Sequence, residues 1–383
     1  MHLNVLKRKF LFEILILSLI GCNSNNTDKT DSLKVIDIEQ IYELSPMKAG
    51  DIVKDFSYIP LETTDHSIMG EILEIIPSET GFLILDYSNH LTLFGHDGHF
   101  IHRIARKGNG PGEYLQLSDI DISEDEKIIY ILDGGKSQIL LYSFDNKFIR
   151  SIKIERLITK FIKTPFGFIC YKDPFMQVNG YGTPVPTLIT LDNDGKESGT
   201  LQYRTVNLQH PTPFIHFPLL RKFKNQYFYY PPFQDTIYSV YQDKIVPEFV
   251  LFKGTYSISV EEVADLEMQR KAYERGLTVR HFAINDHWLF FMCRRNNNVE
   301  LFLYNLATKQ LSNLSGKNHL PTILNDIDNT FGIYPKIFYD NYLLEIKPAY
   351  EILEEQLIPE ALKKIHPEDN PVIRISSFLL VNE

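Results

Sequence analysis

Cysteine, tryptophan and net positive charge are all scarce in this chain. Its 383 residues hold three cysteines and one tryptophan, and the formal charge is −10. An acidic balance repels a polyanion, so nucleic acid is excluded as a partner. The cysteines stand at positions 22, 170 and 293 with no metal-ligand spacing, which argues against a cysteine-held metal. Cys170 and Cys293 lie in the apolar runs "GFICY" and "LFFMC". An export compartment would permit a disulfide between them, but the expectation is two buried free thiols. A G-x-S-x-G nucleophile elbow is missing as well. Nor is there a long apolar run. The longest, "FLFEILILSLI" from Phe10 to Ile20, falls short of the ~20 residues a spanning helix needs.

That short run has a different use. Lys7, Arg8 and Lys9 precede it and "LIGC", Leu19 to Cys22, closes it, in the order of a signal peptide. The last four residues resemble a bacterial lipobox, which implies cleavage before Cys22 and lipidation of its thiol. Residues 1–21 are therefore read as a lipoprotein signal peptide and 22–50 as a lipidated flexible tether, opened by the polar "NSNNTDKTDS". The mature chain has 362 residues and a formal charge of −12, since the removed piece carries three basic residues against Glu13. Its membrane link is the anchor alone. The first acid after the cysteine is Asp28, which favours the periplasmic face over the cell surface.

What the chain has in quantity is a repeat. "HLTLFGHDGHFIHRI" from His90 parallels "QILLYSFDNKFIRSI" from Gln138, and "TLITLDNDGK" and "TIYSVYQDKIV" repeat the first half. The turn aspartates Asp97, Asp145, Asp194 and Asp243 are 48, 49 and 49 residues apart. Each hairpin is preceded by two further runs rich in isoleucine, valine, tyrosine and phenylalanine, so each repeat reads as four antiparallel strands. A blade of this kind has two apolar faces and buries them only against neighbours in a ring. Solenoid stacking is the alternative, but it uses shorter repeats.

Two more blades follow. One starts near Arg280, after an inserted helix that Ser259 and Glu262 open as a capping box and Gly276 stops. The last uses "YPKIF", "NYLLEI" and "NPVIRISSF", with a helical interruption from Tyr350 to Lys364 broken at Pro359. It is one strand short, and "DFSYIPLE", Asp55 to Glu62, is the spare strand that would complete it and close the ring. The fold class expected is all-β: a six-bladed β-propeller of four-stranded antiparallel blades over residues 51–383, closed by the N-terminal strand, with short helical insertions. "DFSYIPLETT", "RKGNGPGEY" and "EDNPVIRI", in that order, resemble the six-bladed propeller lipoproteins of Bacteroidota, relatives of the NHL-repeat propellers. The resemblance implies the fold and is nearly silent on activity.

"RKGNGPGEY", residues 106–114, tempts a phosphate-loop reading. However, the third glycine of a dinucleotide fingerprint is replaced by Glu113, no helix follows, and the stretch does not end in Gly-Lys-Ser/Thr. Pro111 removes an N–H that a phosphate would use. It reads as a connection from an outer strand to the next inner one, with Glu113 and Tyr114 as loop candidates for touching a ligand. His96, His99 and His102 alternate across a hairpin and would not share a metal. Asp192 to Glu197 lacks the length of a calcium loop. Trp288 and "YFYYPPF" read as blade core more readily than as a sugar platform. No cofactor and no metal is expected.

A pocket in such a ring lies at the mouth of the axial channel, lined by the first strand of each blade. Those strands offer Glu71 and Glu74, Asp119 and Asp121, Lys160 and Lys163, Arg221, Arg280 and His281, and Lys336, about half of which can face the axis. Glu74, Asp121, Lys163, Arg221, Arg280, His281 and Lys336 are taken as mouth residues. Histidines are few there, His281 and His216, so metal catalysis is disfavoured. Two functional readings follow: a monomeric, non-catalytic envelope protein that binds a protein or glycan, and a hydrolase or lyase acting on a saccharide or peptide with carboxylates and Arg280 or His281. The histidine-poor lining favours the first.

Overall fold

The computed structural model describes residues 33–39, 47–174, 182–205, 218–264, 266–296, 298–315, 322–328, 330–334, 337–339, 342–355 and 357–379. The chain enters with β1 (Lys34–Asp37) and β2 (Val53–Pro60), both of which join blades formed later. Blade 1 is β3 (Ile72–Ser78), β4 (Gly81–Asp86), β5 (Leu91–Phe94) and β6 (Phe100–Ile104). Blade 2 is β7 (Leu117–Ser123), β8 (Ile128–Asp133), β9 (Gln138–Ser143) and β10 (Phe148–Lys153). Blade 3 is β11 (Ile158–Thr164), β12 (Gly167–Lys172), β13 (Pro184–Leu191) and β14 (Glu197–Thr205).

Blade 4 is β15 (Leu219–Phe223), β16 (Gln226–Tyr230), β17 (Thr236–Val240) and β18 (Ile245–Phe252). Helices α1 (Val260–Ala264) and α2 (Leu266–Arg275) are inserted after it. The expected capping box opens them: Ser259 N donates to Glu262 Oε2 at 2.9 Å and Glu262 N to Ser259 Oγ at 3.2 Å. Blade 5 is β19 (Thr278–Ile284), β20 (Trp288–Arg295), β21 (Asn298–Asn305) and β22 (Leu311–Asn313). Blade 6 is β23 (Ile337–Tyr339), β24 (Tyr342–Lys347) and β25 (Val372–Phe378), with α3 (Ala349–Leu353) interposed. β2 pairs antiparallel with β25 from Val53↔Phe378 to Pro60↔Val372 and supplies the fourth strand. The protein is a six-bladed β-propeller closed by β2, the strand that precedes blade 1.

The core is divided among the six blade interfaces. Leu83 and Leu85 of blade 1 meet Ile120 and Ile131 of blade 2. Leu132 of blade 2 meets Phe161 and Phe168 of blade 3, and Ile169 of blade 3 meets Leu220 and Tyr229 of blade 4. Phe228 and Phe282 join blades 4 and 5, Phe290 and Leu343 join 5 and 6, and Ile373 and Phe82 join 6 back to 1. Inner positions are covered on both faces, so β4 and β12 are buried along their whole length, while β10, at an outer edge, buries only Ile152. "YFYYPPF" is blade core: Tyr227, Phe228, Tyr229 and Tyr230 are all buried. Cys170 and Cys293 are buried free thiols in separate interfaces. At the first hairpin, Gly98 has φ +85°, and a Cβ there would lie 2.2 Å from the Pro60 carbonyl oxygen of the closing strand.

One finding departs from the sequence reading. The stretch assigned to a flexible tether, 22–50, includes β1, which pairs in parallel with β18 from Lys34↔Phe249 to Asp37↔Phe252 and makes blade 4 five-stranded. Ile36 and Ile38 bury themselves against that interface, and Lys34 Nζ lies 3.0 Å from Glu248 Oε1. Four residues of alternating burial are too short a signal to distinguish a strand from a linker.

"RKGNGPGEY" connects β6 to β7 and folds upon itself. Gly108 N donates to Tyr114 O and Tyr114 N to Arg106 O, at 2.9 and 3.1 Å. Glu113 accepts from Gly110 N at 2.7 Å through Oε2 and from Arg106 Nε at 2.5 Å through Oε1. Gly112, not Gly110, takes the positive φ, +78°, and packs so closely that a Cβ would lie 2.8 Å from the Tyr142 hydroxyl. The Gly110 N–H and the Arg106 guanidinium hold the Glu113 carboxyl below its ordinary pKa of 4.5. A depressed folded-state pKa adds stability that is present above 4.5 and disappears as pH falls through the folded value. Glu113→Gln should therefore melt below wild type at pH 7, with the gap narrowing as the pH is lowered below 4.5. A gap that stays constant in thermal melts across that range would refute the capping role.

Candidate functional site

The first strands of the blades line the axis, with β7 beside β11, β11 beside β15, β15 beside β19, and β19 beside β23. Each has one edge paired within its blade and one facing the channel, so its inner N–H and C=O groups need other partners. Side chains from the neighbouring blade supply them. Asp119 Oδ2 accepts from Phe161 N at 2.9 Å, and Asp121 Oδ2 accepts from Lys163 N at 2.7 Å, tying blade 2 to blade 3. Arg221 Nε donates to Phe282 O at 3.0 Å, tying blade 4 to blade 5. Lys222 Nζ reaches Ile122 O of blade 2 at 3.3 Å.

A recurrent bulge decides which side chains enter this ring. The β3–β4, β7–β8, β11–β12 and β19–β20 registers each slip at the start of the first strand. The first paired residues after the slip are Glu74, Asp119, Lys160 and His281, one from each of blades 1, 2, 3 and 5. β15 has no slip and contributes Arg221. Glu74 acts electrostatically on Asp119, Lys160 and Arg221, so the five belong to one polar cluster.

Within the ring Lys160 Nζ lies 2.5 Å from Asp119 Oδ1. Burial raises the Asp119 carboxyl pKa against the pull of Lys160, whereas for Lys160 the attraction of Asp119 and Glu74 outweighs desolvation and raises its pKa too. Burial, reinforced by the Arg221 charge, pushes His281 well below the ordinary histidine value, so its imidazole is neutral. Desolvation lowers Arg221, opposed by Glu74 and Asp119.

Of the other sequence candidates, Asp121 shares the field of Glu74 and the rest lie elsewhere. Lys163 is buried between blades 2 and 3, its Nζ 3.0 Å from Glu126 Oε1 and 2.8 Å from Thr164 O. Asp121 also accepts from Ile122 N at 2.8 Å, and burial raises its pKa. Arg280 sits at the β19 bulge itself, exposed, in the field of Arg294 and of Tyr273 on α2. Lys336, His216 and Cys22 fall outside the described residues. Tyr114 is buried, with its hydroxyl 2.5 Å from Asn89 O, and Glu113 uses both oxygens within its loop. His96, His99 and His102 approach three different partners, Glu79 O, Glu62 Oε2 and Phe144 O. Among the described residues no three His, Cys, Asp or Glu side chains gather as metal ligands would.

These features define an all-β propeller with a polar axial ring. Residues 33–377 match the family described as a domain of unknown function, DUF4934, and the chain belongs to that family. Among solved structures it is similar to a protein of Bacteroides fragilis described as exported, at 18% identity and a TM-score of 0.71, covering 91% of this chain and 100% of that one. It is also similar to a DUF4221 family member from Bacteroides vulgatus, at 10% identity and a TM-score of 0.52, covering 86% and 98%. At these identities the likeness speaks to the fold alone. No curated protein matches the chain.

Proposed function

We propose that this chain is an exported, lipid-anchored propeller of the cell envelope, held at the periplasmic face through Cys22, which binds a protein or glycan and performs no chemistry of its own. The signal-peptide pattern ending in Cys22 and the resemblance to Bacteroidota propeller lipoproteins support the address, and the description of the Bacteroides fragilis protein as exported agrees with it. The observation that carries the function is the use made of the ring's acids. Both oxygens of Asp119 and both of Asp121 accept hydrogen bonds within or between inner strands. A paired general acid and base needs two carboxyls free to exchange protons with substrate, and with these two occupied holding blades together only Glu74 is left. Leu73, at the β3 bulge, is exposed to a partner at the channel mouth.

Cys22→Ser should move the protein from the membrane to the soluble fraction with an unchanged melting temperature. Retention in the membrane through washes would remove the anchor from the proposal. The soluble form, used as bait in envelope extract, should capture a partner that Leu73→Glu loses and Ile149→Glu, on the outer strand β10, keeps. Turnover of a chromogenic glycoside or peptide by wild type, abolished in His281→Phe, would establish the hydrolytic reading instead.

A further inference from the structure

Three groups of the axial ring lack the partner their chemistry requires. Arg221 Nη2 lies 2.9 Å from His281 Nδ1. Arginine has no lone pair to offer, so Nδ1 accepts, and the neutral imidazole carries its proton on Nε2. That Nε2–H is buried and meets no acceptor among the described residues. Arg221 otherwise donates to Phe282 O and Leu220 O, at 3.0 and 2.8 Å. Its charge therefore touches carbonyls and an imidazole, with no carboxylate at ion-pair distance among the described residues. Glu74, on blade 1, presents the converse case: its field reaches Arg221, Lys160 and Asp119, but no described residue donates to its carboxylate. Neither residue is sealed off, since both are only half-buried.

The ring thus offers a cation with a spare buried donor from blades 4 and 5, and an unpaired carboxylate from blade 1. Its charges balance: Glu74, Asp119 and Asp121 against Lys160, Arg221 and Lys222, with His281 neutral. A simple anion would be repelled by the acids and a simple cation by the bases. A sugar could accept from His281 but would leave both charges unpaired, and charge-assisted hydrogen bonds are about twice as strong as neutral ones. We propose that the axial ring binds a small zwitterion, an amino acid or short peptide, with its carboxylate on Arg221 and the His281 Nε2–H and its ammonium on Glu74. This goes beyond the envelope-binding reading and stands independently of it.

Isothermal calorimetry on the full chain tests this, with the twenty amino acids, Ala-Ala and Ala-Ala-Ala as probes, their N-acetyl and C-amide derivatives as controls, and glucose as the neutral comparison. At least one zwitterion should bind, and blocking either end should weaken it at least tenfold. Which length binds best reports the spacing of the two charges. Glu74→Gln should weaken the zwitterion tenfold and leave its N-acetyl derivative unchanged. His281→Phe should weaken both, and His281→Gln, which restores an N–H donor, should recover part of the loss, with melting temperatures showing that each variant is folded. The proposal is overturned if no zwitterion binds, if an N-acetyl derivative or glucose binds as tightly, or if binding survives both Glu74→Gln and His281→Phe. The blocked-probe comparison needs no variant, so a misfolded mutant would not rescue a wrong proposal.

Discussion

A chain beginning at Gly70 should fail to fold cooperatively, while one beginning at Met47 should keep a cooperative transition at lower denaturant. The first lacks β2 and the second only β1. β2 closes the ring by contributing to both interfaces of blade 6: Ile52 and Val53 pack toward blade 5, and Leu61 toward blade 1. These three are 3%, 2% and 2% exposed, so their loss forfeits about 5–9 kcal/mol at ~1.5–3 kcal/mol for each buried side chain. That compares with a whole-domain stability of roughly 5–15 kcal/mol. The deletion also opens β25 along its ladder. Urea unfolding followed by far-UV circular dichroism makes the comparison. A Gly70 chain as stable as the intact protein would mean that the ring does not depend on β2.

Glu345→Ala should be the most damaging single substitution, at about 3–5 kcal/mol, the range for stranding a buried charge. Arg374 is fully buried and pairs with Glu345 through Nη2, while Nη1 donates to Phe331 O at 2.9 Å. Glu345 Oε1 accepts from Tyr334 N at 2.8 Å. The Phe331 and Phe56 rings lie 4.3 and 5.1 Å from the guanidinium, so no water shell can replace the lost carboxylate. Burial raises the Glu345 carboxyl pKa in spite of Arg374, a sign that desolvation is costly there. Combining Glu345→Leu with Arg374→Met should recover part of the stability, because no buried charge is left unpaired, although Tyr334 N–H and the Phe331 and Gly332 carbonyls lose their side-chain partners. A double-mutant cycle by chemical denaturation measures this, and an additive cycle would show that the two side chains do not act as a pair.

The blades, their strand order and their hairpins were legible in the sequence because they rest on nearest-neighbour preferences. β-Branched and aromatic residues alternate, and turn residues recur at a spacing that sequence displays directly. The closing strand was legible by elimination, since "DFSYIPLE" had no place in any other blade. The capping box of the inserted helix was equally local, needing only Ser259 and Glu262 three residues apart.

Membership of the axial ring was legible only in part, for Glu74, Arg221 and His281, and a backbone irregularity is the reason. Alternation predicts which side chains share a face only while the ladder is regular. One extra residue at the start of β3, β7, β11 and β19 resets that parity, setting Asp119 and Lys160 beside Glu74 and leaving Lys163 buried in a blade interface. Aligning the repeats on these slips is the signal that would have found them. The Glu345–Arg374 pair was hidden for a related reason: its members are 29 residues apart and meet only because β24 and β25 pair in that register. Local chemistry, carried by each short segment on its own, settled the architecture and its closure. Long-range register, which depends on every strand being in place at once, decided which charges meet, which are buried and which are left facing the channel.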